Sequence, residues 1–209
     1  MPIGPAVRRA FGPFEHHITA AYRSIYLDID DLVAAIRGWA PDSRRILEVG
    51  AGEGAVTERL VEAFPGAAIT AIDITPRVGR LYRGAAGAAQ FHSCTVQEIA
   101  AESPGVFDLV LIADVVHHVP IALRKGLLDA ARAALAPGGV LVFKEWERSR
   151  TPIHWMCHAS DRWLTGDRVN FMSRDEGREL LAASFGEGAF VDERRVAPWR
   201  NNIITLVRP

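Results

Sequence analysis

The amino-acid sequence predicts a doubly wound α/β fold: a mostly parallel sheet with helices on both faces, finished by an antiparallel C-terminal hairpin. Three observations lead there. Strand-like and helix-like runs alternate along the chain, the pattern of repeated βαβ units. The runs Ile69–Ile72, Leu109–Ile112 and Val140–Phe143 are apolar on both faces, as strands of a helix-covered parallel sheet must be. A glycine-rich turn, Gly50 to Gly54, joins an apolar strand to a helix, at the carboxyl edge where open α/β sheets receive their ligands.

The elements follow in order. Helical periodicity covers about Pro13–Tyr26 and Asp28–Trp39, ahead of a first strand over Arg45–Val49. Beyond the glycine turn come a helix over Ala55–Phe64, a strand over Ala68–Ile72, a helix over Pro76–Gly84 and a strand over Gln90–Cys94. Next are a strand over Phe107–Ala113, a helix over Ile121–Leu135, the turn Ala136 to Gly139 and a strand over Val140–Lys144. After Trp146 the pattern breaks into a Trp- and His-rich segment, Thr151–Thr165, then a helix over Arg174–Phe185 and two strands, Phe190–Val196 and Asn202–Val207. Pro198 and the pair Asn201-Asn202 separate these last strands, so they form a hairpin on the sheet edge.

At 209 residues the chain makes one domain. Lys+Arg 24 against Asp+Glu 25 leave a net charge of −1, so no whole-molecule field draws it to nucleic acid or to anionic membranes. The longest apolar candidate, Val106–Val119, is broken by Asp108, Asp114, His117 and His118, well short of the roughly 18 apolar residues of a membrane span. Met1 to Phe14 lacks the apolar run of a signal peptide. Two cysteines, Cys94 and Cys157, build no disulfide framework and fit a reducing, cytoplasmic setting. The expected partner is a small molecule, with neither nucleic acid nor stable membrane insertion.

The chemistry concentrates in Ile46-Leu-Glu-Val-Gly-Ala-Gly-Glu-Gly54. Glycines there tolerate unusual dihedrals, let a ligand lie against the backbone, and open onto a helix N-terminus whose amides are donors. A tight strand-to-helix connection would explain the turn alone, and three companions decide against that. The spacing Gly50-x-Gly52-x-Gly54 differs from the dinucleotide fingerprint, and Glu48 with Glu53 forms an acidic lip that repels a pyrophosphate and welcomes a cationic head. Asp73 ends the second strand, placed to accept hydrogen bonds from ribose hydroxyls. Asp114-Val-Val-His-His118 ends the fourth predicted strand on the same edge of the sheet.

At these residues the chain resembles the class I S-adenosylmethionine-dependent methyltransferases of the small-molecule type. Glu48–Gly54, Ile72-Asp73-Ile74, Phe107–Val119 and Leu135–Leu141 occur in the family's order, over about Arg44 to Lys144. The resemblance implies a seven-stranded sheet with the last hairpin antiparallel. It implies S-adenosylmethionine as cofactor and S-adenosylhomocysteine as product. Glu48, Gly50, Ala51, Gly52 and Gly54 would hold the methionine part, Asp73 the ribose and Ile74 one adenine face. Many relatives carry an acidic residue after the third strand, whereas this chain reads Ser93-Cys94-Thr95-Val96; adenine recognition there falls to the backbone or to Thr95 and Val96. Asp114 is followed by Val115-Val116-His117 rather than the family's nucleobase-methylating signature. The division expected is an N-terminal helical cap over residues 1–43, a cofactor-binding core over 44–145, and an acceptor-side insert with the hairpin over 146–209.

His117 and His118 follow the strand that delivers Asp114, and either is a candidate general base or a packing residue. A base is needed only where the acceptor must lose a proton. Trp146, His154, Trp155 and His158 form the candidate acceptor side, broad apolar faces with a few directional polar tips. His154 and His158 share a helical face at i, i+4 and could hold zinc or iron, but no third ligand of clear spacing accompanies them, so no metal is expected. The expected activity is methyl transfer from S-adenosylmethionine to a small or medium-sized metabolite. The alternatives are a cofactor-binding fold-mate with a regulatory or non-methylating role and a nicotinamide-dependent oxidoreductase, the latter disfavoured by the glycine spacing.

Overall fold

The computed structural model describes residue 21 and residues 24–160 and 169–209. Apart from residues 21 and 24–26, which are helical, the expected helix over Pro13–Tyr26 lies outside the described residues, as do His16, His17 and Trp163. The described elements are α1 (Ile29–Trp39), β1 (Arg45–Val49), α2 (Ala55–Ala63), β2 (Ala68–Asp73), β3 (Ala89–Ser93), α3 (Val96–Glu102), β4 (Phe107–Ala113), α4 (Ile121–Ala134), β5 (Leu135–Trp146), α5 (Pro152–Ser160), α6 (Arg174–Phe185), β6 (Phe190–Val196) and β7 (Asn202–Val207).

The seven strands form one sheet in the order β3-β2-β1-β4-β5-β7-β6. β1 to β5 pair in parallel, and β7 joins antiparallel between β5 and β6. Each face carries its own core. Leu47, Val110, Ile112, Leu141 and Phe143 pack with α3, α4 and α6 on one side. Ile46, Leu109, Leu111, Val142 and Ile204 pack with α1 and α2 on the other. Alternate residues of each strand therefore feed opposite faces, and the carboxyl ends of β1, β2, β4 and β5 meet along one edge. Among the described residues no helix is long and apolar enough to cross a membrane.

Three stretches depart from the sequence expectation, the first being the expected turn Ala136 to Gly139, which is taken up into the twelve-residue β5. No helix spans Pro76–Gly84; the segment runs as bends and turns. Gly79 and Leu81 donate their amides to the Gly52 and Glu53 carbonyls, so the hydrogen bonds a helix would keep for itself go to the glycine turn. Gly79, at φ +68°, also lies so close to the Phe91 ring that a Cβ would sit 2.4 Å from it. Conversely, α3 was not expected. Its start is a capping box: the Thr95 side chain accepts from the Glu98 amide while the Glu98 carboxylate takes the Thr95 amide at 2.7 Å, a pattern that the spacing Thr95-x-x-Glu98 announces.

Thr95→Ala removes that cap and should lower stability by about 1 kcal/mol, seen as a thermal midpoint lower by about 2–4 °C. A midpoint unchanged within error would mean that the box does not hold α3.

Candidate active site

The glycine turn is shaped by where its neighbours stand. Gly50, Gly52 and Gly54 have φ of +81°, +53° and +91°, the left-handed region that side chains resist. The Gly50 and Ala51 amides donate to the Ile72 carbonyl at 2.8 and 2.9 Å, which pins the turn to the end of β2. A Cβ on Gly50 would meet Val115 at 2.2 Å, whereas one on Gly52 would find only the Asp73 carboxylate, at 4.0 Å. Gly50 is thus required by packing, and Gly52 borders open space beside Asp73.

Asp73 fastens that space. Its Oδ2 accepts the Gly52 amide and its Oδ1 the Thr75 amide, both at 2.9 Å, and a carboxylate with about four lone-pair sites keeps capacity for further donors. Next to it Ile74 is 80% exposed, a large apolar side chain standing beyond the sheet edge. Glu48 is buried and accepts the Thr57 hydroxyl at 2.5 Å, and Glu53 pairs with Arg80 at 2.8 Å. The expected acidic lip is therefore corrected: Glu48 braces α2 from below, and Glu53 shares its charge with a guanidinium. The Thr95 hydroxyl is engaged in the capping box, and the Val96 side chain belongs to the core.

At the ends of β4 and β5 lie two adjoining polar clusters, one built on Lys144 and one on Glu145. In the first, Asp114, itself at φ +55°, pairs with Lys144. Lys144 is almost wholly buried, while the Asp114 side chain is 36% exposed. In the second, the buried Glu145 carboxylate receives the Val115 and Val116 amides at 3.0 and 2.6 Å through Oε1, and His117 Nδ1 lies 2.6 Å from its Oε2. His117 is buried, stacked on Phe171 with ring centroids 4.7 Å apart, whereas His118 is exposed. The buried Arg124 braces this loop by donating to the Val119 and Asn170 carbonyls at 2.9 and 2.7 Å.

Donor atoms of Asp114, His117 and Glu145 lie within 4.8 Å of one another, close enough to share a metal ion. Lys144 already supplies the cation to Asp114, and Glu145 is committed to three N–H groups, so the set works as a hydrogen-bond network. Sequence reading singled out Asp114, His117 and His118 but neither Glu145 nor the Lys144 pairing. Strand parity would have signalled both: adjacent charged residues at the end of an otherwise apolar strand must face opposite sides, and each needs a partner.

On the expected acceptor side, Trp146 is buried and donates its indole N–H to His154 Nδ1 at 3.1 Å. The Tyr26 ring packs against it edge-on at 5.9 Å. His154 lies edge-on to Phe171 and His158 tilts toward the same ring. The structure thus gathers His117, His154 and His158 around Phe171, with Trp146 hydrogen-bonded to His154. Trp155 stands apart, 66% exposed on α5.

Residues 47–141 match the model of a methyltransferase domain. Ubiquinone biosynthesis O-methyltransferases are similar to the chain: that of Xanthomonas campestris pv. campestris is 34% identical over 109 residues, 50% of this chain and 44% of the relative. That of Azotobacter vinelandii is 34% identical over 110 residues, 51% and 46% of the two chains. The chain thus spans about half the length of the curated relatives it matches. Among solved structures, the Burkholderia thailandensis 1,6-didemethyltoxoflavin-N1-methyltransferase, with its substrate and S-adenosylhomocysteine bound, shares the fold with TM-score 0.67 at 21% identity, over 97% of this chain and 86% of that one. The N-methyltransferase NodS of Bradyrhizobium japonicum, in complex with S-adenosylhomocysteine, does so with TM-score 0.61 at 19% identity, over 94% and 87%.

Two outcomes test this geometry. Glu145→Ala strands two buried amides and the His117 N–H, and should cost about 3–5 kcal/mol in urea denaturation; a loss below 1 kcal/mol would contradict the network. Burial, with His158 and Arg148 nearby, pushes the His154 imidazole below its ordinary range. The unfolded chain then binds a proton where the folded chain does not, so stability should fall as pH drops below about 6.5. His154→Gln, which keeps an acceptor for Trp146, should flatten that slope; the parental slope in the variant would show that another group sets it.

Proposed function

We propose, on the premise that this chain carries a class I S-adenosylmethionine-dependent methyltransferase domain, that it methylates a small or medium-sized metabolite whose accepting atom begins protonated. The observation that carries this reading is the His117–Glu145 pair at the ligand edge of the sheet. When bound, S-adenosylmethionine supplies an electrophilic methyl group on a sulfonium. The space beside Gly52, bounded by the Asp73 carboxylate and continued by exposed Ile74, fits a ligand that combines a ribose with an apolar base.

The residues divide the work accordingly. Gly50 to Gly54, Ala51 among them, offer backbone against the methionine part, Asp73 receives ribose hydroxyls with the lone pairs that Gly52 and Thr75 leave, and Ile74 covers an adenine face. Glu145, accepting the Nδ1–H of His117, fixes the tautomer in which Nε2 carries the lone pair. His117 Nε2 receives the proton that the acceptor oxygen or nitrogen gives up as it forms its bond to the methyl carbon. Holding the two reactants in line is the larger contribution, worth up to about 7–11 kcal/mol in favourable systems.

In this reading residues 44–145 bind the cofactor, residues 1–43 cap it and residues 146–209 supply the acceptor side, with Trp146, His154 and His158 nearest. His118 and Trp155, both exposed, serve at its rim. The names of the curated relatives support oxygen as the accepting atom, and the free thiols of Cys94 and Cys157 are compatible with a reducing cytoplasm.

Calorimetry should show S-adenosylhomocysteine binding to the parent, weakened at least tenfold by Gly52→Val, whose side chain fills the open space in a strained backbone. In a panel of metabolite acceptors screened for S-adenosylhomocysteine release, His117→Ala should cut turnover by about 10²- to 10⁴-fold with cofactor affinity within threefold. A parent that does not bind S-adenosylhomocysteine would overturn the whole reading; unchanged turnover in His117→Ala would overturn the base alone.

A further inference from the structure

We infer that Ser93 is a positioning residue for the cofactor: its hydroxyl holds the backbone that presents Ile74 to the adenine ring, so that affinity for the base depends on a side chain one strand away. This rests on the placement of adenine against Ile74 in the reading above. Ile74 is 80% exposed, an apolar surface that the face of a ligand would cover, and it lies just past the end of β2. The residue after it, Thr75, is held at both of its backbone groups by side chains. Its amide donates to Asp73 Oδ1 at 2.9 Å, and its carbonyl accepts the Ser93 hydroxyl at 2.8 Å. On the other side of Ile74, the Asp73 carbonyl accepts the Cys94 amide at 3.1 Å. Ile74 thus stands between two anchored residues.

The sheet explains why these anchors meet. β2 and β3 pair in parallel with Asp73 opposite Ser93, so both strands stop at the same level and the two side chains leave the sheet together. The carboxylate reaches forward along its own chain, the hydroxyl reaches across from the neighbouring strand, and they take the two ends of one residue. Pro76 follows Thr75; it has no N–H to give and biases Thr75 toward extended backbone. The segment beyond forms no helix and gives the Gly79 and Leu81 amides to the glycine turn, so no helical ladder supports residues 74 and 75, and the side chains of Asp73 and Ser93 do so instead. An isoleucine is stiff at χ1, so fixing its backbone fixes the face it shows. A ligand that meets such a preset surface is spared the cost of ordering it. Without the Ser93 hydroxyl the Thr75 carbonyl turns to water, since both residues are exposed, and the Thr75 amide becomes the remaining hold on that side of Ile74.

A double-mutant cycle on the intact protein, read by calorimetric titration with S-adenosylhomocysteine, tests this. Ser93→Ala should weaken binding by about three- to tenfold, and Ser93→Thr, which keeps a hydroxyl, should bind within about twofold of the parent. Ile74→Ala should weaken binding by about tenfold or more. The double variant Ser93→Ala with Ile74→Ala should bind within about twofold of Ile74→Ala alone, because the hydroxyl then has no side chain left to present. The inference is overturned if Ser93→Ala binds as the parent does, if Ser93→Thr binds as weakly as Ser93→Ala, or if the two losses multiply in the double variant. Parental affinity in Ile74→Ala would instead take adenine away from Ile74, and a parent that binds no S-adenosylhomocysteine would remove the methyl-transfer reading; the inference falls with either.

Discussion

The carboxylate of Glu145 is the point on which the carboxyl edge of the sheet turns. It is buried, it sits near the end of β5, beside the central strand β4, and it holds two backbone amides and an imidazole of the loop that leaves β4. A carboxylate removed from water must be repaid by donors, and this one collects them all from Val115, Val116 and His117. The loop therefore has little choice of path. The same path puts Val115 against Gly50, so the end of β4 and the turn after β1 are fitted to each other through a side chain that belongs to neither.

A second carboxylate performs the same service at the neighbouring junction. Asp73 ties the Gly52 amide to the end of β2, and the 74–84 segment completes the arrangement by giving its own amides to the carbonyls of the turn. The ligand edge is built from three loops that hold one another, each using a group the local sequence would otherwise have used for itself. Preorganisation of this kind lets a site bind without first spending free energy on ordering.

Most of the sheet was legible in the sequence because buried parallel strands read as apolar runs, and Leu109–Ile112 or Val140–Phe143 admit few other readings. The glycine turn was legible for the same local reason. The absent Pro76–Gly84 helix was not, since the competing acceptors, the carbonyls of Gly52 and Glu53, lie far back in the chain. Glu145 was missed because its partners sit about thirty residues away across a strand pairing that only the assembled sheet creates. Thr95 was read as a ligand contact when its spacing to Glu98 already described a helix cap. Local rules were available for that residue; for Glu145 they were not.

The stretch around 25–31 makes a set of hydrogen bonds to the far end of the chain. Asp28 donates its amide to the Ala197 carbonyl, Trp199 reaches the Ile25 carbonyl, and Asp31 receives both the Ala197 amide and Arg194. These partners are 163 to 174 residues apart wherever a side chain is involved, and β7 must already lie between β5 and β6 before they can meet. Contacts of such span carry the largest loop-closure entropy. They also tie into the core, since Leu27 and Val196 are both buried in the cluster that covers this face of the sheet. Residues 25–31 and 194–199 thus form a clasp whose two halves lie far apart in sequence and side by side in the folded protein.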